Sequence, residues 1–306
     1  MAYLRLIRYK NLLIVLLTQV LMQYLILTPA LEATGKEPVL NGFHFALLCL
    51  VTLIITASGF IINDLFDQEI DRVNKPDELI IGPRISPDTA KKMYHVLNII
   101  GGILALWLSV EIGKPFWFLI YPVAVFGLWL YSRFLKKLFL WGNFVVAAFC
   151  GGVSLVLLLP ELDSYFQTGS ISPENPVRLG FLIIAFYSLF AFLTTFLREV
   201  IMDLEDMEGD QADHRRTLPL ISGVGNAKIV AVVTGFLIIL LCALIWSASS
   251  LIGGNIPAII IFSIFNLLLL LSIYKIFTAE IKQHYGTIST QIKVLMLLGL
   301  LFAFTL

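Results

Sequence analysis

The sequence predicts an all-α integral membrane protein, and composition and apolar periodicity support this fold class. Hydrophobic residues make up 58% of the 306 residues and charged residues only 14%, whereas a soluble domain carries about 25% charged residues. Apolar runs of about 20 residues, the length that crosses a bilayer core, recur along the whole chain. These runs lack the period-two alternation of a membrane β-barrel, so we predict helices.

Nine such runs predict nine spans and one transmembrane domain over residues 1–306. The first run follows Arg5, Arg8 and Lys10 and looks superficially like a signal peptide. It is longer than the apolar part of a cleaved signal, so we interpret it as the first membrane helix. The predicted spans lie near 11–31, 43–66, 94–111, 116–132, 139–160, 178–202, 227–249, 256–277 and 289–305.

The basic residues predict the orientation of these spans. Of the 21 Lys and Arg residues, all but Lys36, Lys114 and Arg178 fall on the side of the N-terminus. Basic residues concentrate in cytoplasmic loops, so we expect a cytoplasmic N-terminus and an external C-terminus. The formal net charge is zero, which gives no reason to expect a nucleic-acid partner.

The three cysteines, Cys49, Cys150 and Cys242, lie inside apolar runs without a CxxC pair. We interpret them as small packing residues rather than metal ligands.

An acidic cluster, NDLFDQEIDR, ends the second predicted span at residues 63–72. If the helix continues through it, the 100° step per residue places Asn63, Asp67 and Asp71 within about 80° of arc, with Asp64 at about 100°. The cluster therefore presents one stripe of short polar side chains.

A second cluster, DLEDMEGDQADHRRTLP, follows the sixth span at residues 203–219. Asp203, Asp206 and Asp210 fall within about 60° of one another. Like charges on one helical face repel, and a bound cation would relieve them. Repeated Asp suits Mg²⁺, which takes one or two carboxylates, waters and phosphate oxygens. Two stripes could hold two or more metal ions around one diphosphate, stabilising a departing oxygen.

A simpler interpretation is that each cluster is only a solvated helix end. Two clusters with the same Asp spacing, both on the predicted cytoplasmic side, favour the metal site. Basic residues intermix with them: Arg72 and Lys75 after the first, Arg215 and Arg216 after the second, and the YSRFLKK loop between them. Arg and Lys bind phosphate, although many of these residues also serve as topology determinants.

The segment NDLFDQEIDRVNKP resembles the NDxxDxxxD signature of UbiA-type intramembrane prenyltransferases, and REVIMDLEDMEGD…RRTLP is similar to their second aspartate motif. RYKNLL and YSRFLKKLFLWGN also resemble family segments. The resemblance implies nine helices around a central cavity that opens laterally to the bilayer. It also implies that the loops between spans two and three and spans six and seven cap this cavity.

The resemblance implies a role for each matching residue. Asp67, Asp71, Asp203 and Asp206 are the predicted catalytic residues. The predicted metal-binding residues are Asn63, Asp64, Asp67, Asp71, Asp203, Asp206 and Asp210. The predicted diphosphate-binding residues are Asn63, Arg72, Lys75, Arg133, Lys136, Lys137, Arg8 and Asn11, of which the last two would line the cavity.

One departure from the family pattern lies after the first motif. Many members continue NKPxRPxxSGRIS, whereas this chain reads NKPDELIIGPRIS, with Glu78-Leu79 in place of the usual Arg-Pro. We expect the loop to keep its capping role, and its contact with acceptor or phosphate is left open.

The resemblance implies Mg²⁺-dependent transfer of a polyprenyl group from its diphosphate to a lipophilic acceptor through a carbocation-like state, with Mn²⁺ as a substitute metal. Membrane lipid is the expected surrounding partner. The second motif looks closest to the branch that transfers geranylgeranyl to glycerol-phosphate lipids, and an aromatic quinone precursor remains the other acceptor class. An ion-coupled transporter and a prenyl-diphosphate-binding protein without catalysis are the competing hypotheses.

Overall fold

The described part of the chain is helical, with one isolated bridge between Ile81 and Ile85. The computed structural model describes residues 1–74, 77, 79–167, 175–249 and 256–305. Its α-helices, in chain order, are α1 (Ala2–Leu6), α2 (Tyr9–Leu21), α3 (Thr28–Glu32), α4 (Gly42–Phe66), α5 (Gln68–Asn74), α6 (Pro87–Glu111), α7 (Ile120–Arg133), α8 (Trp141–Leu155), α9 (Leu162–Gln167), α10 (Pro176–Glu205), α11 (Met207–Ala212), α12 (Leu218–Ser222), α13 (Val224–Ser249), α14 (Ile256–Thr278) and α15 (Lys282–Leu301).

Eight helical segments within these ranges are long and apolar enough to cross a membrane. This confirms the integral membrane class. The third and ninth predicted helices begin earlier than the apolar runs indicated, because their first turns are polar. The eight segments are Tyr9–Glu32, Gly42–Phe66, Pro87–Glu111, Pro115–Lys137, Pro176–Glu205, Val224–Trp246, Ile256–Thr278 and Lys282–Thr305.

The fifth predicted span, residues 139–160, is where the structure differs from the sequence prediction. Its helix α8 has 15 residues, or about 22 Å at 1.5 Å per residue, against a bilayer core of about 30 Å. The chain then turns, with the Leu158 amide donating to the Leu155 carbonyl at 3.0 Å. Nine spans therefore stay a prediction.

Two side-chain caps fix where the helices around the first motif begin. The Asn41 side chain accepts a hydrogen bond from the His44 amide at the start of α4. The Ser86 side chain does the same for the Thr89 amide before α6, with Pro87 at the first helical position. Both arrangements satisfy amides that have no partner within the helix.

The chain divides into two compact units, and the prediction of one domain over residues 1–306 stays a prediction. Unit 1 comprises Met1–Lys136 and Leu155–Leu182, and unit 2 comprises Lys137–Ser154 and Ile183–Leu306.

In unit 1 the loop that departs from the family pattern packs into a small apolar core. The buried side chains of Ile81 and Ile85 pack with Leu6 of α1 and Ile61 of α4. Gly82, at φ +101°, makes the turn between the two isoleucines, a conformation that glycine adopts without strain. Residues 79–85 are thereby anchored near the end of α4. Glu78 lies outside the described residues.

In unit 2 the core lies among α10, α13, α14 and α15. Buried side chains from these helices include Leu197, Ile238, Leu269 and Ile292. The core holds α10, which carries the second aspartate motif, against its neighbours.

Candidate functional site

The first aspartate motif lies at a break between two helices. Helix α4 ends at Phe66, Asp67 adopts φ −95° and ψ 3°, and α5 begins at Gln68. The Asp67 amide still donates to the Asn63 carbonyl at 3.0 Å, and the Asp71 amide to the Asp67 carbonyl at 2.9 Å. The condition for the aspartate stripe, a helix that continues through the cluster, is met except at Asp67, and the four-residue hydrogen-bonding pattern continues through the break.

Asp67 is the centre of a polar triad in which Asp67 and Lys136 are buried. Its side chain is 11% exposed and its Oδ1 receives Lys136 Nζ at 2.6 Å, while the Lys136 side chain is 4% exposed. Asn63 joins them, because its Nδ2 donates to Asp67 Oδ2 at 2.8 Å and its Oδ1 accepts from Lys136 at 3.2 Å. The lysine charge offsets the cost of burying the carboxylate.

Asp64 is paired with a second cation. Arg8 Nη2 donates to Asp64 Oδ1 at 2.8 Å, and the guanidinium lies 4.8 Å from the ring centre of Phe60. Arg8 has a left-handed backbone, φ 50° and ψ 54°, at the junction of α1 and α2. A non-glycine residue in this conformation is uncommon, and such strain clusters at functional sites.

The other predicted residues of unit 1 are less closely gathered. Asp71 is partly buried, whereas Arg72 and Asn11 are exposed. The exposed Arg133 places its guanidinium over the rings of Phe66 and Phe134, at 5.4 and 5.5 Å. Lys75 lies outside the described residues.

The second motif repeats the backbone of the first. Helix α10 ends at Glu205, Asp206 adopts φ −99° and ψ 13°, and α11 begins at Met207. The Asp206 amide donates to the Met202 carbonyl at 2.9 Å, and the Asp210 amide to the Asp206 carbonyl at 3.0 Å.

Asp203 is held by a residue that the sequence analysis did not single out. Asn143, in the first turn of α8, donates from Nδ2 to Asp203 Oδ2 at 2.8 Å. The two helices also meet at Gly151, whose carbonyl accepts from the Ser188 hydroxyl at 2.8 Å. A Cβ at Gly151 would lie 2.8 Å from the Ser188 carbonyl oxygen, so only glycine permits this close approach.

The end of the second motif forms a local charge network. The buried Asp210 lies 3.7 Å from Arg215 Nε, which also donates to Asp213 Oδ2 at 3.0 Å. Lys137 Nζ pairs with Asp213 at 3.0 Å. Partial burial acts to raise the pKa of Asp213, but hydrogen bonds from Lys137 and Arg215 outweigh it and hold the pKa below its ordinary value. Asp213 and Arg215 join the predicted residues at this motif.

The carboxylates suit a metal ion that takes some of its ligands from the protein and the others from a bound substrate. Within the ranges that the structure covers, no group of three His, Cys, Asp or Glu residues could hold a metal ion. Mg²⁺ commonly takes only one or two carboxylates and completes its shell with water and phosphate oxygens. The donor sets of Asp67 with Asn63, and of Asp203 with Asp206 and Asp210, fit Mg²⁺ bound together with a diphosphate.

The fold and the two charge clusters together define the class: a helical integral membrane protein in which each of two long apolar helices ends in a cluster of acidic and basic side chains. The chain belongs to the UbiA prenyltransferase family, whose model matches residues 20–286. It is therefore a prenyltransferase, and family membership disfavours the transporter hypothesis.

Individual relatives agree with this assignment. The chain is 29% identical over 258 residues to a digeranylgeranylglyceryl phosphate synthase of Methanosphaera stadtmanae, covering 84% of this chain and 86% of the relative. A solved structure of a digeranylgeranylglyceryl phosphate synthase in membranes matches with a TM-score of 0.67 and 25% identity, over 99% and 97% of the two chains. A UbiA homologue from Archaeoglobus fulgidus, bound to DMAPP and Mg²⁺, shares the fold with a TM-score of 0.57 and 18% identity over the full length of both.

Proposed function

We propose that the chain transfers a geranylgeranyl group from its diphosphate to the free hydroxyl of a geranylgeranylglyceryl phosphate lipid and releases diphosphate. The observation that carries the proposal is the repeated helix break at Asp67 and Asp206, each within a set of carboxylates that accept hydrogen bonds from other side chains. The name shared by the relatives supports this acceptor, since a digeranylgeranylglyceryl phosphate carries two prenyl groups on one glyceryl phosphate.

The metal-binding role is proposed for both motifs. Asn63, Asp64, Asp67 and Asp71 would serve the first, and Asp203, Asp206 and Asp210 the second. Mg²⁺, with Mn²⁺ as a substitute, would draw charge from the diphosphate and stabilise the leaving oxygen. The residues proposed to hold the diphosphate are Arg8, Asn11, Asn63, Arg72, Lys75, Arg133, Lys136 and Lys137.

The side chains of the two motifs would lower the activation barrier of prenyl transfer mainly because their charges are fixed in position before the reaction. Lys136 and Asn63 already fix the Asp67 carboxylate, and Asn143 fixes that of Asp203. Groups held in place before the reaction need little reorganisation when the C–O bond of the donor breaks. Apolar surroundings would exclude water, which would otherwise capture the carbocation-like prenyl group.

The architecture proposed for this reaction is nine spans around a cavity open sideways to lipid, with the motifs at the cytoplasmic side. An odd span number places the termini on opposite sides of the membrane. Reporter fusions at residue 1 and after residue 306 test this point. Reporters on the same side would contradict it.

The proposed activity is tested with protein in lipid nanodiscs and labelled geranylgeranyl diphosphate. The acceptor panel contains geranylgeranylglyceryl phosphate, its dephosphorylated alcohol and a hydroxybenzoate. We expect Mg²⁺-dependent product from the glyceryl phosphate, and none after Asp67→Ala or Asp203→Ala. Asp163→Ala is the matched control, because Asp163 belongs to neither motif, pairs with Lys114, and has a side chain that is 72% exposed.

Product from the hydroxybenzoate alone would replace the proposed acceptor class by an aromatic one. Full activity in both Asp67→Ala and Asp203→Ala would overturn the assignment of the metal residues. Donor binding without product from any acceptor would favour a binding protein.

A further inference from the structure

Arg198 and Glu199 form a charged pair inside α10 that no step described so far uses. Both side chains are partly buried, at 21% and 18% exposure, and Arg198 Nη1 lies 3.4 Å from Glu199 Oε1. They lie within the apolar segment Pro176–Glu205. Ionisable residues within a membrane helix are costly and commonly mark functional sites.

Glu199 lies on the same face of α10 as Asp203. Four residues separate them, so their directions differ by about 40° and their axial positions by about 6 Å. Since Asp206 and Asp210 follow Asp203, Glu199 is the acid of this face that lies deepest toward the apolar middle of the helix.

The position of Glu199 is suitable for contact with the acceptor hydroxyl rather than with the diphosphate of the donor. In a prenyl diphosphate, the reacting C1 carbon lies between the diphosphate and the apolar chain. An acceptor oxygen that attacks C1 therefore approaches beside the apolar side of the diphosphate. A carboxylate one turn deeper than Asp203 would be placed to take the acceptor's proton.

Arg198 has hydrogen-bonding capacity that the pair does not use. Its Nε is buried and has no hydrogen-bond partner among the residues that the structure describes, and its contact with Glu199 at 3.4 Å is long. Consecutive helical residues point about 100° apart, which explains the poor geometry. A guanidinium offers five donors in a fork that matches a phosphate group.

The pair lies on a part of α10 that packs against α8. Cys150 of α8 lies close to Thr195, Arg198 and Glu199 of α10, and the same two helices are joined by Asn143–Asp203 and by Ser188–Gly151. Packing alone does not explain this pair, because apolar residues of similar volume often stabilise a fold as well as a buried ion pair or better.

We propose that Arg198 binds the phosphate of the glyceryl phosphate acceptor and that Glu199 accepts the proton of its reacting hydroxyl. The inference rests on the proposed function. The acceptor oxygen forms a bond to C1 of the prenyl group, and the C1–O bond breaks with its electron pair leaving on diphosphate. The hydroxyl proton passes to the Glu199 carboxylate.

The first test replaces Glu199 by Gln, which keeps the shape and removes the base. We expect the turnover rate with geranylgeranylglyceryl phosphate to fall about 10²–10⁴-fold, the usual contribution of a general base. Mg²⁺-dependent binding of geranylgeranyl thiodiphosphate should stay unchanged, and Glu199→Asp should restore part of the rate. Glu208→Gln is the control, since Glu208 is an exposed acid within the second motif.

The second test compares acceptors with and without the phosphate. For Arg198→Gln we expect at least a tenfold higher KM for geranylgeranylglyceryl phosphate, unchanged KM for the dephosphorylated alcohol, and partial recovery in Arg198→Lys. Arg178→Gln changes the same residue type at the other end of α10 and should leave both KM values near wild type.

The outcomes separate the two proposals. Wild-type activity on the glyceryl phosphate, with Glu199→Gln and Arg198→Gln behaving like their controls, overturns only this inference. Loss of thiodiphosphate binding in Glu199→Gln also overturns it, because the residue would then serve the donor or the fold. Absence of wild-type product from the glyceryl phosphate overturns both this inference and the proposed function.

Discussion

The two aspartate motifs share a backbone but balance their charges in different ways. Each long helix ends one residue before an aspartate, and Asp67 and Asp206 adopt nearly the same φ and ψ, near −95° and 0–15°. This sparsely populated region of backbone space is found at many active sites. The repeat indicates that the break, rather than a continuous helix, presents the carboxylates.

The partners of the carboxylates distinguish the motifs. In the first, cations from distant parts of the sequence reach Asp64 and Asp67, namely Arg8 and Lys136. In the second motif, the side-chain amide of Asn143 donates a hydrogen bond to Asp203, and Arg215, five residues along the chain, forms an ion pair with Asp210. The first motif therefore depends on cations from distant parts of the sequence, of which Lys136 is buried, and the second on a neutral donor and a local cation.

The largest expected effect comes from removing the cation of the first motif. Lys136→Met would leave the Asp67 carboxylate buried without its ammonium, which costs about 3–5 kcal/mol when a buried pair loses one partner. We expect a large drop in melting temperature and loss of prenyl transfer. Both are measured on protein in nanodiscs, by thermal unfolding and by product formation.

The adjacent lysine is the control for this prediction. Lys137 is 43% exposed and pairs with Asp213, so Lys137→Met should cost at most about 1 kcal/mol, as surface pairs do. The double variant Lys136→Met/Asp67→Asn should regain stability without activity. Equal stability losses in the two lysine variants would contradict the distinction between the motifs.

The next effect concerns the neutral donor of the second motif. Asn143→Ala should lower Mg²⁺ affinity or activity about 10–100-fold, the usual effect of losing a group that orients a metal ligand. Asn143→Asp should be worse, because it places a second carboxylate against Asp203. Initial rates over a range of Mg²⁺ concentrations measure the change, with the exposed Asn226→Ala as control. An unchanged Mg²⁺ dependence in both Asn143 variants would show that Asp203 needs no such support.

The sequence was sufficient for the membrane class, for eight approximate spans and for locating the two acidic clusters, because apolar runs and acidic clusters are local properties. Which carboxylate a given lysine pairs with depends on the fold and cannot be read from the neighbouring sequence. Lys136 and Lys137 were both predicted to bind diphosphate, yet one reaches Asp67 and the other Asp213. Asn143 was missed because a single asparagine in an apolar helix has no periodic signal. The 15-residue length of α8 depends on how the chain turns after Leu155, which the apolar run 139–160 does not reveal.

A smaller effect is expected from the charge network after the second motif. The pKa of Asp213 is lower in the fold than its ordinary value, so its contribution to stability is present above the unfolded pKa, about 4. It is lost as the pH falls through the lower folded value. The stability difference between wild type and Asp213→Asn should be constant at pH 6–7 and shrink below about pH 4. Unfolding of both proteins across this range checks the sign, and a difference that grows on acidification would refute it.

The smallest effect tests whether a buried carboxylate in this protein implies chemistry at all. Glu161, fully buried, accepts a hydrogen bond from the Val39 amide at 2.7 Å, shortly before α4 begins and far along that helix from Asp67. Burial raises the pKa of Glu161, against the hydrogen bonds from the Val39 and Leu40 amides and the charge of Lys114. Its charged form is therefore a cost to the fold at neutral pH.

Glu161→Gln keeps an oxygen for the Val39 amide and removes the buried charge, so we expect unchanged or slightly higher stability at pH 7 and full activity. Glu161→Ala removes the acceptor as well and should cost about 1–3 kcal/mol, the penalty of a buried donor left unpaired. Thermal unfolding and product formation of the two variants measure this difference. Loss of activity in Glu161→Gln, as expected for Asp67→Ala, would contradict this prediction. It would show that the Glu161 carboxylate is needed for the reaction and is not only structural.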